Sequence, residues 1–288
     1  MGEEAMADQK ADQQVHEKAH EKAHEKDLGA PGLQAVTPDI LRRSLLRGWS
    51  DFRAAPIFGL VFAVIYILIG WAMAWVTGAT GTSYWLILAA IGFPLVGPFA
   101  AVGLYEVSRR IEAGEPLAWP PVLGVIWGEA GRQLPWLCAL IVVVFLFWFF
   151  LGHMIFALFL GLSPMTNVSS SLDVFLTPSG LKMLVFGSIV GGGFAVLLFT
   201  MAVLSLPMLL DREVDFMTAM VASIGYVIAH PVPMLAWGGL LAGLTFVALL
   251  PGFLGLVVVL PLLGHASWHL YDQLALREAA LPEGAMPV

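Results

Sequence analysis

The segment PLLGHASWHLYDQL, residues 261–274, places His265 and His269 four positions apart at the end of a long apolar run. Side chains at positions i and i+4 lie on the same face of a helix. Two imidazoles on one helical face can bind a metal ion or a haem iron. Whether these histidines are ligands depends on the elements that hold them and on the groups around them.

The composition of the chain is that of an integral membrane protein. Hydrophobic residues make up 59% of the chain and charged residues 12%, whereas soluble domains carry about 25% charged residues. Apolar runs of about 20 residues, each long enough to cross the hydrocarbon core once, recur along the sequence. The single cysteine, Cys138, excludes an internal disulfide and a cysteine-based metal cluster. The net charge of −7 lies outside the apolar runs and indicates no nucleic-acid partner.

The N-terminal region differs from the rest of the chain and contains the repeated run VHEKAHEKAHEKD. Its histidines could chelate a divalent ion weakly, but the balance of Glu and Lys favours a disordered charged tail at 1–36. The last part of this tail, 29–36, has the composition of a hinge. A membrane domain then follows at 37–275 and a C-terminal tail at 276–288. Thr37, followed by proline, predicts the N-cap of the first helix.

The apolar runs predict six transmembrane helices, at about 57–76, 85–104, 135–160, 182–206, 233–250 and 253–271. Every Lys and Arg except Lys182 lies in the N-terminal segment, in the second or fourth connection, or at the C-terminus. By the positive-inside rule these segments, and both termini, lie in the cytoplasm. The sequence therefore predicts a multi-pass protein of the bacterial inner membrane with cytoplasmic termini.

A half-polar helix that ends at a proline precedes each pair of apolar runs. The three prolines are Pro56, Pro135 and Pro231. Because proline disfavours a helical conformation in the preceding residue, each should lie at a junction between a surface helix and a span. We therefore predict an all-α fold in which the six spans form three hairpins repeated in parallel, each preceded by a cytoplasmic interfacial helix. The repeat units would be about 37–112, 116–213 and 214–275.

Several motifs together resemble a known family. GWSDFRAAP, PLVGPFAAVGLYEVSRR, SLPMLLDREV and LPLLGHASWHLY are similar to those of the bacterial predicted integral membrane proteins with domain of unknown function 2189. The resemblance extends over about residues 36–275 and implies no established activity and no catalytic residue. Some members of that family are labelled as cytochrome c oxidase subunits, so the resemblance also raises the question of haem binding.

The histidines outside the tail make weak candidates for haem ligands. Three of them, His230, His265 and His269, lie near the cytoplasmic ends of their spans, while His153 lies toward the outer half of the third span. A bis-histidine haem could therefore use only His230 with His265 or His269. The alternative is that these side chains pack and hydrogen-bond near the interface. We favour that alternative because no third ligand lies in the same span and we expect no carboxylate to lie nearer than Asp272, so we predict no cofactor and no metal site.

The remaining charged residues gather on the predicted cytoplasmic side. The acids are Glu106, Asp211, Glu213, Asp215 and Asp272, and the bases are Arg53, Arg109, Arg110, Arg132 and Arg212. They could pair with one another in a ring that locks the three units together. Alternatively, the arginines could bind anionic lipid headgroups or an acidic partner.

The sequence indicates that the protein is not an enzyme. Neither a nucleophile elbow with a histidine and an acid nor a phosphate-binding loop occurs. No apolar span holds a carboxylate near its centre, so a proton relay or a cation-coupled transporter of the usual kind would lack its buried acid. We predict a scaffold or an accessory or assembly factor of a membrane complex, with a respiratory complex as one option. The alternatives are a small-molecule or lipid transporter and a haem- or metal-binding membrane protein.

Overall fold

The computed structural model describes residues 30–81, 86–161 and 173–276, with only the backbone described at 86–96 and 173–174. Within these ranges the chain is helical and contains no β-strand. Most of the predicted N-terminal tail and nearly all of the predicted C-terminal tail lie outside the described residues. The helices are α1 (Pro38–Ala54), α2 (Pro56–Thr80), α3 (Leu86–Ala113), α4 (Trp119–Ala130), α5 (Leu134–Leu160), α6 (Asp173–Leu176), α7 (Pro178–Ala202), α8 (Ser205–Asp211), α9 (Phe216–Ala229), α10 (Pro231–Leu249) and α11 (Leu256–Leu274).

Four segments of the described chain are long and apolar enough to cross a membrane. They are α2, α5, α7 continued through α8, and α10, and they coincide with four of the predicted spans. Helix α3 occupies a further predicted position, and only the backbone of its first part is described. Helix α11 occupies the remaining one but does not meet the same criterion. Helix α11 has 19 residues and includes two histidines and an aspartate, which lowers its hydropathy. The chain is thus a polytopic helical membrane protein, and the count of six spans remains a prediction.

The three prolines lie where the sequence predicts, at the beginnings of apolar helices. Pro56 is the first residue of α2 and Pro231 the first of α10, while Pro135 is the second residue of α5. A helix precedes each of them: α1, α9 and α4 respectively. Thr37 also caps α1 as predicted, since its side chain accepts a hydrogen bond from the Ile40 N–H at 3.3 Å. Similar junctions do not by themselves establish an internal repeat.

Helix α11 packs against α1, α2 and α3, and small residues allow close approach. A Cβ atom built on Gly48 of α1 would lie 2.6 Å from the backbone nitrogen of Ala266. A Cβ atom on Gly264 would lie 2.5 Å from the Leu104 side chain of α3. These contacts leave no room for a larger residue and hold the backbones of the three helices close together.

Residues 30–36, which the sequence predicts to be a hinge, make specific contacts with the end of α11. The Gln34 N–H donates to the Leu274 carbonyl at 2.9 Å, and the Leu276 N–H donates to the Gly32 carbonyl at 2.8 Å. The Tyr226 hydroxyl of α9 donates to the Gln34 carbonyl at 2.8 Å. The hinge interpretation is therefore wrong for this stretch, whose pairing partner is distant in sequence. The two ends of the described chain lie side by side.

A side chain from α9 bridges the break between α7 and α8. The Leu204 N–H donates to the Ser223 hydroxyl at 3.2 Å, and that hydroxyl donates to the Thr200 carbonyl at 2.7 Å. In an uninterrupted helix, the Leu204 N–H would bond directly to the Thr200 carbonyl. The Ser223 hydroxyl is thus inserted into one hydrogen bond of the helical ladder, a common cause of helix kinks.

Candidate functional site at the end of α11

His269 lies between two carboxylates that come from different helices. Its Nε2 is 2.6 Å from Oδ2 of Asp51 on α1. Its Nδ1 is 3.2 Å from Oε1 of Glu112 on α3, a close electrostatic contact whose angles are not those of a hydrogen bond. The His269 side chain is 2% exposed and that of Asp51 is 8% exposed. The expectation that Asp272 is the nearest carboxylate is therefore wrong, because helix packing brings two acids from distant parts of the sequence next to the imidazole.

Asp51 lies in a sequence pattern that indicates its burial, although it is not among the residues predicted for the site. It is the last member of a stripe with helical spacing whose other members are Ile40, Ser44 and Gly48, all buried in the structure. An acid on the buried stripe of an amphipathic helix requires a polar partner, because an unpaired buried charge is costly. The stripe could have indicated a partner, although not which one.

His265 has a different environment from His269. It is completely buried, and its Nδ1 is 2.8 Å from the Ser108 hydroxyl of α3. Its Nε2 is buried without a hydrogen-bond partner among the described residues. The two imidazoles share a helical face, as the spacing predicts, and both contact α3, but at different residues, Ser108 and Glu112, and only His269 also contacts α1.

Trp268 and Tyr271 extend these contacts around the end of α11. The indole N–H of Trp268 donates to Oε2 of Glu112 at 3.0 Å, and the Tyr271 hydroxyl donates to Oδ2 of Asp211 at 2.8 Å. Burial raises the pKa of the Glu112 carboxyl, but its contacts with His269, Trp268 and Arg47 outweigh burial and hold that pKa below its usual range. We name the four residues that join α1, α3 and α11 the polar clamp: Asp51, Glu112, Trp268 and His269.

The third candidate haem ligand, His230, lies apart from the clamp at the junction of α9 and α10. Its ring stacks on Tyr226 with a centroid distance of 4.4 Å, and its Nδ1 is 3.2 Å from the Tyr226 carbonyl. Within the described part of the chain, no hydrogen bond, ion pair or ring contact joins His230 to His265 or His269. The described part of the chain also contains no group of three or more His, Cys, Asp or Glu side chains that could hold a metal ion.

Two of the candidate arginines bind one buried carboxylate. Arg109 contacts Glu106 through two hydrogen bonds of 2.7 and 2.8 Å, and Arg110 contacts it at 2.6 Å. Glu106 is fully buried, and both guanidinium groups also reach Glu115, at 3.9 and 3.0 Å. The hydrogen bonds with Glu106 raise the pKa of Arg109 further, so that this side chain stays charged.

The other candidate arginines differ in their contacts. Arg132 binds Glu129 at 2.9 Å and approaches Glu213 at 3.8 Å, while Arg212 lies 3.8 Å from Asp211. Arg53 is exposed in the last turn of α1 and contacts no carboxylate within the described ranges. Ion pairing among these charges is therefore the dominant arrangement, and of the five arginines Arg53 retains an exposed charge for a lipid or partner.

These features define an all-helical integral membrane protein whose charged end is held together by buried polar contacts between its first, third and last long helices. A comparison with protein families supports this class: the family described as predicted integral membrane protein, DUF2189, matches residues 86–211. The match confirms the family resemblance over that stretch, which runs from the start of α3 to the end of α8. No curated protein and no solved structure gives a significant match.

Proposed function

We propose that the chain is a non-enzymatic scaffold or accessory subunit of a larger membrane assembly. The observation that carries this proposal is the polar clamp. Its histidine and acids, the groups best suited to chemistry, bind one another and hold the surface helix α1 against α3 and α11. The haem-binding alternative has less support, because His269 is engaged by Asp51 and Glu112 and His230 lies at another junction.

The outward-facing residues of the interfacial helices also favour a binding role. Trp127 near the end of α4 is 76% exposed, Trp136 at the start of α5 is 63% exposed, and Ile228 of α9 is 70% exposed. Tryptophan is enriched where one side of a ring meets apolar surface and the other meets water. An apolar and aromatic surface beside ion-paired helices fits a neighbouring membrane protein better than it fits a soluble substrate.

We propose a six-span arrangement with three parallel hairpins and both termini in the cytoplasm of a bacterial cell. Helices at all six predicted positions support this arrangement. The pairing of Gln34 with Leu274 supports it as well, because ends that pair would lie on one side of the bilayer, and that requires an even number of crossings. Reporter fusions at residues 80 and 170 should report the periplasm and a C-terminal fusion the cytoplasm. A cytoplasmic signal at residue 170 would contradict the arrangement.

Anionic lipid is the second partner that we propose, through the outer face of α1. Arg42, Leu46, Trp49 and Arg53 follow one another at helical spacing and are exposed. Neither Arg42 nor Arg53 contacts a carboxylate within the described ranges, whereas Arg43 and Arg47 bind Asp39 and Glu112. Basic and aromatic residues on one face are typical of helices that lie on anionic membranes.

The scaffold role is tested by co-purification in mild detergent with quantitative mass spectrometry. The test variant combines Trp127→Ala and Trp136→Ala. The control is Trp75→Ala, which removes a ring that is 73% exposed near the C-terminal end of α2. We expect a specific set of membrane proteins, with oxidase subunits as one option, to be lost with the test variant and retained with the control. Identical sets for both variants, or turnover of a substrate by the purified chain, would contradict the proposal.

A further inference from the structure

A large apolar cleft separates α7 from α10. Its volume is about 700 Å³, and its lining includes Val196 and Phe199 of α7 and Leu235, Gly239 and Phe246 of α10. Ligand pockets in proteins commonly have volumes of about 300–1,000 Å³. The cleft is therefore large enough to hold a ligand and not only a packing gap.

A second apolar cavity adjoins the cleft. It has a volume of about 300 Å³ and lies between α2, α3, α10 and α11, and Leu241 and Thr245 of α10 line both spaces. These two residues are one helical turn apart on the same face of α10. The two spaces therefore adjoin each other along this face of α10, and we refer to them together as the recess.

The chemistry of the recess favours an apolar ligand from the bilayer. Both walls of the cleft belong to segments with the composition of membrane spans, and the residues at its mouth are exposed, with Phe246 at 65% and Val196 at 44%. An apolar cavity does not hold water stably, and a polar solute would lose its hydration without compensation there. A flexible hydrocarbon chain already present in the surrounding bilayer faces neither cost.

We propose that this recess binds one acyl chain of a membrane phospholipid as a defined site, distinct from the lipid that covers the rest of the protein. The site is independent of the scaffold role. Gly239 borders the open space of the cleft, because a Cβ atom at this position would meet no atom within 4 Å. A larger side chain there would project into the space that the acyl chain occupies.

The test uses phosphatidylglycerol that carries a photoactivatable diazirine in one acyl chain, incorporated into nanodiscs with the full-length chain. After illumination, peptide mass spectrometry maps the adducts. We expect adducts concentrated on the cleft faces of α7 and α10, with a severalfold loss in Gly239→Leu. The matched control is Gly243→Leu on the same helix, which also has no atom within 4 Å but does not line the cleft, and it should label like the wild type.

Three outcomes would overturn the proposal. The first is equal labelling of the cleft in the wild type and in Gly239→Leu. The second is a set of adducts spread evenly over all spans. The third is labelling of the cleft by free palmitate that carries the same diazirine, but not by the phospholipid. If Gly239→Leu does not retain the thermal stability of the control, Val196→Trp replaces it, because this position lines the cleft from the opposite wall. The two variants test the same space from different helices.

Discussion

The imidazole of His269, in the last helix, lies 2.6 Å from the carboxylate of Asp51, in the first helix, although 218 positions separate the two residues. Both side chains are buried. Through this contact the chain's C-terminal helix holds the surface helix that precedes the first span. The clamp therefore ties the two ends of the membrane domain together.

Replacing Asp51 should destabilise the fold strongly. Removal of one partner from a buried ion pair costs about 3–5 kcal/mol of unfolding free energy, and for Asp51→Ala we expect the lower end because Glu112 still contacts His269. Unfolding in mixed micelles with increasing SDS, followed by circular dichroism, measures the loss. Asp39→Ala, which removes an exposed pair with Arg43 in the same helix, should cost less than about 1 kcal/mol. Similar losses for both variants would show that the clamp contributes little.

The clamp predicts that the histidines serve structure and bind no cofactor. Purified protein should show no Soret absorbance and no stoichiometric copper, iron or zinc by elemental analysis. His265→Ala and His269→Ala should lower thermal stability without changing the absorption spectrum. A haem or metal signal that His265→Ala abolishes would refute this view, because a bis-histidine haem loses its low-spin spectrum when one axial ligand is removed.

Gly48 should not tolerate even alanine. Its added methyl group would meet the backbone nitrogen of Ala266 at 2.6 Å, and a backbone atom cannot move aside without displacing α1 from α11. Overpacking of this kind costs about 1–3 kcal/mol. The same micelle unfolding assay applies. Gly225→Ala in α9, where the added atom meets nothing within 4 Å, should be neutral or stabilising by up to about 1 kcal/mol.

Ser223→Ala should weaken the junction of α7 and α8. The Leu204 N–H and the Thr200 carbonyl would both lose their shared partner at a buried position, and an unsatisfied buried group costs about 1–3 kcal/mol. Hydrogen exchange at the Leu204 amide should accelerate, which locates the effect. Ser267→Ala is the control, since among the described residues that hydroxyl bonds to a carbonyl of its own helix and to no other helix. Unchanged exchange at Leu204 would rule out the bridging role.

Asp215 should stabilise α9 in a pH-dependent way. Its carboxylate accepts hydrogen bonds from the N–H groups of Thr218 at 2.9 Å and Met217 at 3.0 Å. Hydrogen bonding with the Thr218 side chain, together with these backbone bonds, holds the pKa of Asp215 below its ordinary value. Because the folded-state pKa is depressed, the stabilisation is fully present above the unfolded-state pKa of about 4 and is lost as the pH falls through the folded-state value.

Asp215→Ser measures this effect, because serine also caps helices but does not titrate. Thermal unfolding in detergent should show the wild type losing stability relative to Asp215→Ser as the pH decreases below about 4. Asp215→Ala should cost about 1 kcal/mol at neutral pH. A constant difference between the wild type and Asp215→Ser across this pH range would exclude a contribution from the charge.

The sequence by itself determined the class of the protein and where several of its helices begin. Hydropathy is a local property, so the apolar runs predict where α2, α5, α7 and α10 lie. Proline acts on the residue just before it, so Pro56, Pro135 and Pro231 mark junctions whatever the rest of the chain does. Thr37 caps α1 for an equally local reason.

Only the tertiary structure decided which side chains share a site. The sequence placed His265 and His269 on one face, but their partners come from α1 and α3, because the close crossing at Gly48 and Ala266 brings Asp51 to the end of α11. In the same way, the stretch around Gln34 has the composition of a hinge and yet pairs with Leu274. Such contacts depend on how helices distant in sequence pack, and no local pattern encodes that geometry.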